Sequence, residues 1–123
     1  MQRRPAAALA FATLAAASPA AAHHSAAMFD RAKQVTVSGT VKEFLYTNPH
    51  CWITVVAVDP ATNMPVDWSI EGYTPTGMKG FGLMPSTVKP GDKVSVVLHP
   101  LKDGRKGGSL VEYTFPDGKT VHP

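Results

Sequence analysis

Across residues 34–47 the apolar side chains alternate and then change phase, with no break in the extended pattern. Val35, Val37, Gly39 and Val41 share one face of the segment, while Thr36, Ser38, Thr40 and Lys42 share the other. That two-residue period marks a strand with one buried side. Phe44 and Tyr46 then fall on what had been the polar parity. One extra residue near Lys42 and Glu43 would produce the flip, as a bulge that bends the strand, and Gly39 leaves room for the bend. A long bent strand can serve two sheets at once, which is what a small closed barrel needs.

The rest of the chain fits that frame. Asn48-Pro49 interrupts the ladder, and residues 51–58 are rich in β-branched side chains, a second strand. Residues 59–65 hold two prolines and an asparagine and are expected as a hairpin loop, with a third strand over 66–72. Thr74 is placed to cap a helix whose first residue is Pro75, giving one or two turns over residues 75–80. After a turn at Lys89-Pro90-Gly91-Asp92, Val94, Val96 and Leu98 line one face of a fourth strand over 93–99. A basic, glycine-rich loop over 102–108 leads to a strand over 109–115, and Asp117-Gly118 turns the chain into a short tail strand over 119–122. The expected fold is all-β, a small closed or partly open barrel of the oligonucleotide/oligosaccharide-binding (OB-like) type with one short helix. A small β-sandwich is the alternative architecture.

The N-terminal residues have another logic. Arg3 and Arg4 precede about 13 uncharged, alanine-rich residues, and Ala20-Ala21-Ala22 supplies small residues for a cleavage site. This is the order of a secretory signal peptide. The apolar run falls short of the about 20 residues that span a bilayer, so no membrane span is expected after cleavage. Residues 1–22 are read as the leader and residues 23–123 as one domain of 123 − 22 = 101 residues, located in the periplasm. Removing two arginines from 12 basic residues leaves ten against nine acidic ones, a side-chain charge near +1. Nothing in that balance suggests a nucleic-acid partner. The single cysteine, Cys51, has no intramolecular disulfide partner, and its setting in Cys51-Trp52-Ile53-Thr54-Val55 reads as a buried strand residue.

The sharpest chemical feature lies at the predicted cut. Cleavage after Ala22 makes His23 the first residue, whose α-amine and imidazole can chelate one ion together. His24 and a histidine from elsewhere would complete a nitrogen set of the kind that favours Cu(II) or Ni(II). Cleavage after Ala21 would instead place His24 third, in an amino-terminal copper/nickel motif. The chemistry resembles the N-terminal histidine braces of periplasmic copper-binding proteins and lytic polysaccharide monooxygenases. His50, held at a corner by Pro49, is the further ligand candidate. Glu71 would come near it if the second and third strands pair, and a carboxylate there would orient a ligating imidazole through its other ring nitrogen. His99 and His122 offer no such context. Met28, Met64, Met78 and Met84 lack Met-x-x-Met spacing and are read as packing residues. Lys102, Arg105 and Lys106 in the glycine-rich loop are candidates for an anion site, or equally a solvated turn. No catalytic constellation is present: there is no Gly-x-Ser-x-Gly elbow, and Cys51 has only a sequence-adjacent histidine.

These residues together resemble a family of small exported bacterial proteins defined by a domain of unknown function. The likeness runs through His23-His24-Ser25 with Phe29-Asp30, Val37-x-Gly39-x-Val41, Thr47-Asn48-Pro49-His50-x-Trp52 and Trp68-x-x-Glu71-Gly72. It continues in residues 83–92, which end in Lys89-Pro90-Gly91-Asp92, and in Pro116-Asp117-Gly118. Cys51 departs from the expected aliphatic or small residue, and Met78-Lys79-Gly80-Phe81 is a loose version of the helix segment. The resemblance implies a periplasmic β-barrel with no activity attached, and it suggests that His23, His24, Asn48, His50, Trp52 and Glu71 belong together.

The expected function is a non-enzymatic periplasmic protein binding copper, or another transition metal, through its mature N-terminal histidines. The alternative is a metal-free OB-like module that binds a ligand or an envelope protein. A copper oxidase with an N-terminal histidine is the weakest reading, because 101 residues leave little surface for positioning a substrate. The leader makes the first prediction: intact-mass measurement of the exported protein should give a chain starting at His23, or at Ala22. A chain that retains its leader or starts well downstream removes the terminal chelate.

Overall fold

The structure is a computed structural model, and it describes residues 26–123. The signal-peptide segment and the expected ligands His23 and His24 lie outside the described residues. A 3₁₀ turn at Ala26–Met28 is followed by β1 (Val35–Leu45), β2 (Trp52–Asp59), β3 (Met64–Glu71), α1 (Pro75–Gly80), β4 (Lys93–Pro100), β5 (Gly107–Thr114) and β6 (Thr120–Val121). The strands hydrogen-bond in the order β3-β2-β1-β4-β5-β6, and β3 also pairs with β5 in parallel. That last pairing closes five strands into a barrel, with β6 a short appendage on β5. The fold is therefore the all-β closed barrel with one short helix. Among the described residues, no helix is long and apolar enough to cross a membrane.

The phase change in the first strand has the expected cause. Val41 pairs with Val55 and Glu43 with Thr54, so Lys42 is the extra residue on β1. Before the bulge β1 pairs mainly with β4, from Val35 opposite Leu98 to Thr40 opposite Lys93. Beyond it β1 pairs with β2 alone. Val37, Val41, Ile53, Val55, Ile70, Val94, Val96 and Leu98 fill the interior, with Phe44 and Tyr46 packed on its edge. A second bulge between Val97 and Leu98 was not evident from the pattern. It leaves Val111 as the extra residue on β5, which lets Leu110 and Tyr113 both point inward three positions apart.

The helix follows its local chemistry. Thr74 Oγ1 accepts the Gly77 N–H at 3.1 Å, and Pro75 occupies the first turn. Met78, Leu83 and Val88 from this connection join the same buried cluster. Two boundaries differ from expectation. Met64 and Pro65 belong to β3, because Asn63 adopts a positive φ of 56° and turns the hairpin tightly. Gly107 and Gly108 belong to β5 rather than to the loop. A Cβ on Gly107 would stand 2.6 Å from the Ser69 carbonyl oxygen of β3, and one on Gly108 would strike the His99 carbonyl oxygen of β4. The glycines are what permits three strands to meet there.

Cys51 is fully buried, and its N–H donates to the Tyr73 carbonyl at 2.8 Å. Burial pushes its thiol above the usual range, against a smaller opposite effect of the Thr47 backbone. Tyr113 is buried with no hydrogen-bond partner for its hydroxyl among the described residues, and desolvation raises its phenol strongly.

Two predictions follow from this packing. Gly107→Ala should lower the unfolding free energy by about 1–3 kcal/mol in a urea titration, because the added carbon meets backbone that cannot swing aside. Since only the thiolate attacks a disulfide reagent and burial holds Cys51 protonated, the folded protein should resist such a reagent at mildly alkaline pH. In concentrated guanidinium the same thiol should react in full. Rapid labelling of the native protein would contradict this packing.

Candidate functional site

Glu71 is the last residue of β3, and its place in the barrel determines the site. Ile70 faces the interior, so Glu71 faces outward. Even so it is only 6% exposed. The segment before β1 lies at the same end of the barrel: Phe29 forms a bridge with Leu101, the Asp30 N–H donates to the Pro100 carbonyl at 2.8 Å, and the buried Phe29 lines one cavity with Glu71. His50, from the corner after the cis Asn48-Pro49 bond, closes the other side. Its Nδ1 lies 2.5 Å from Glu71 Oε1. The second carboxylate oxygen, Oε2, is buried and has no hydrogen-bond partner among the described residues.

The β2–β3 hairpin sets Trp52 opposite Glu71, the parallel closure sets Glu71 opposite Ser109, and β4 sets Ser109 opposite His99. Registered partners on adjacent strands point to the same face. Trp52, Glu71, Ser109 and His99 therefore form one row across the outside of the barrel seam. With strands about 4.8 Å apart, the backbones of Glu71 and His99 stand about 10 Å from each other. A cavity of about 310 Å³ lies over this row, lined by Ala26, Arg31, His50, Glu71, His99 and Ser109 among others.

The two imidazoles share one feature. His99 Nδ1 lies 2.8 Å from the Lys33 carbonyl oxygen, which can only accept, so Nδ1 carries the proton. His50 Nδ1 faces a carboxylate in the same way. In the neutral ring each histidine then keeps the lone pair on Nε2, and no partner for either Nε2 is present among the described residues. Such an imidazole is oriented to bind a Lewis acid. Among the described residues, no three His, Cys, Asp or Glu side chains form a set able to hold a metal ion by themselves. A metal in this cavity would need donors from outside residues 26–123.

The structure thus joins His50 with Glu71 and brings Trp52 alongside Glu71 in the ladder. Asn48 is exposed and lines no part of the cavity. His99, which lacked any recommending context in the sequence, does line it. Its only sequence signal is parity: Val94, Val96 and Leu98 point inward, so His99 points outward at the strand end. His122 sits 3.4 Å from Glu112, largely exposed, and is not among the residues lining the cavity.

The basic loop does not gather into an anion cradle. Arg105 Nε lies 2.6 Å from its own neighbour Asp103, whose carboxyl is held below the usual range chiefly by the Arg105 backbone N–H and then by its guanidinium. Lys106 lies over the Trp68 ring at 5.4 Å and 4.0 Å from Asp59. Lys102 is exposed. Of three charges that looked contiguous along the chain, two are turned to separate partners and the third to solvent.

Comparisons with known proteins agree with the architecture. A solved structure of the mitochondrial single-stranded DNA binding protein Rim1 from S. cerevisiae, an OB-fold protein, superposes with a TM-score of 0.52. The alignment covers 68% of this chain and 92% of that one at 10% identity, a likeness of fold alone. No curated protein sequence matches the chain. The sequence profile of a family of unknown function, DUF6152, matches residues 11–110, and the chain belongs to that family.

Proposed function

We propose that this chain is a non-enzymatic, periplasmic metal-binding protein that takes one copper ion between its mature N-terminus and the cavity over the barrel seam. The ligands are the α-amine and imidazole of His23, with His24 and His50. Glu71 fixes the tautomer and plane of the His50 ring. The observation that carries this reading is the Glu71–His50 pair, a carboxylate 6% exposed against Nδ1 of a half-exposed imidazole, at a cavity whose rim includes Ala26. His23 is three residues upstream of Ala26, and three extended residues reach about 10 Å, the scale of the cavity itself. A buried carboxylate with one oxygen unpaired is costly to maintain, and a bound cation nearby would offset that cost. When bound, Cu(II) supplies a centre that prefers tetragonal nitrogen ligation; the chain supplies donors and excludes solvent from one side.

A second reading, the metal-free binding module, is favoured by a separate cavity of about 320 Å³ beside Val35, Val37, Val66 and Trp68, with Lys106 over the indole. Nucleic acid is not proposed as its ligand. The predicted mature chain carries a charge near +1, and Lys42, Arg105 and Lys106 each face a carboxylate.

Copper titration of mature protein with its native terminus tests the first reading. One equivalent of Cu(II) should bind, and adding a single residue before His23 should weaken binding on the order of 10- to 100-fold. Glu71→Gln should weaken it comparably while the protein stays folded. Unchanged affinity in the extended protein would reject the terminal amine as a ligand.

A further inference from the structure

The core does not fill the end of the barrel where β1 begins and β2 runs out. We infer that this mouth binds a small amphipathic carboxylate, whose apolar body enters the barrel and whose anionic head pairs with Lys106. The inference rests on the metal-free reading, gives its cavity a ligand class, and does not involve copper. The walls follow from strand parity. Val37 pairs with Val96 and Trp68 with Val55, and both of those partners are fully buried. Registered residues share a face, so Val35, Val37, Ala57, Val66 and Trp68 all point inward. Ile53 and Ile70, further along the same inner face, are fully buried, whereas Val35, Ala57, Val66 and Trp68 keep part of their surface open. The five side chains line a cavity of about 320 Å³. That volume lies at the lower end of the range for small-molecule pockets, and barrel mouths are among the places where such pockets form. An apolar body seated there would cover surface that the chain leaves in water.

The lip of the cavity selects the head group. The Ser69 N–H donates to the Lys106 carbonyl at 3.2 Å, which ties that residue to β3 just before the seam. From there the side chain reaches back over the indole, with Nζ 5.4 Å from the Trp68 ring centroid. Its carboxylate partner, Asp59 Oδ2, lies at 4.0 Å, too far for a hydrogen bond. The ammonium therefore keeps its N–H donors for another acceptor. Asp59 is the less accessible of the two: its side chain is 17% exposed against 47% for Lys106, and its Oδ1 accepts the Ala61 N–H at 2.9 Å. A molecule arriving at the mouth meets the ammonium first. A carboxylate there would gain a charge-assisted hydrogen bond beside the apolar wall, and a cationic head would be repelled.

The test is an NMR titration of the copper-free mature protein with octanoate as the probe. Octanoate should shift the methyl resonances of Val35, Val37 and Val66 and the indole resonance of Trp68, and leave the ring resonances of His50 in place. Octanol, with the same body and no charge, should bind about 10-fold more weakly, and octylammonium more weakly still. Lys106→Gln should weaken octanoate about 10-fold while leaving octanol unchanged, and Lys106→Arg should keep the octanoate affinity. Because octanol and octylammonium are compared on the unaltered protein, the head-group preference is read without any substitution. No shift with octanoate, shifts centred on His50 instead of Trp68, octylammonium as tight as octanoate, or an equal loss of octanol and octanoate in Lys106→Gln each overturns the inference. If octanoate binds and copper does not, the metal reading falls and this site stands. If copper binds and octanoate does not, the reverse holds.

Discussion

The parallel pairing of β3 with β5 is the constraint on which the rest of this molecule depends. It closes the barrel, and it does so where Gly107 and Gly108 let β5 lie against the carbonyls of β3 and β4 at distances no side chain would tolerate. Antiparallel hairpins assemble β1 with β2, β2 with β3, β4 with β5 and β5 with β6 from local contacts. The β1–β4 pairing and the seam instead join residues far apart in sequence with no turn to guide them, so the register of the seam must come from shape. Once fixed, that register aligns Trp52, Glu71, Ser109 and His99 on the outer face. The candidate site is thus a by-product of closure rather than a motif in its own right.

Within the row, Glu71 is the unusual residue. Outward-facing carboxylates on strands normally sit in water, and this one is buried and paired with His50. Covering a carboxylate costs free energy unless its oxygens find donors. Oε1 has His50; Oε2 has none among the described residues. Barrel stability gives no reason to retain an acid there, since an apolar residue of similar size would pack without the penalty. A group kept at such a cost is better explained by what it orients, and it orients an imidazole facing a cavity.

The architecture carries little functional information by itself. The OB-fold likeness at 10% identity concerns the path of the backbone, and barrels of this kind serve unrelated purposes. Specific chemistry has to be argued from side chains. Here these are two pinned imidazoles and a buried carboxylate, while Arg105 and Lys106 of the β4–β5 loop are turned to Asp103, Asp59 and Trp68.

Much of the fold was legible from sequence because the signals were local. The phase change at Lys42 specified the bulge in β1, and Thr74-Pro75 specified the start of α1. Alternation in residues 93–99 specified the inner face of β4, since a strand with one buried side exposes its period directly. The nearness of Glu71 to His50 was also legible, because a β2–β3 hairpin leaves those two few places to go. His99 was not legible. Its place depends on the β3–β5 register and on the bulge at Val111, and neither leaves a mark on the residues around it. The scatter of Lys102, Arg105 and Lys106 was hidden for the same reason: which partner a charge meets is settled by elements distant in the chain. Sequence alone fixed the strands, the helix and the histidines beside a predicted cleavage point, because short-range sterics and periodicity decide those. Tertiary structure decided which side chains share a surface, because closing a barrel brings together residues that no local rule connects.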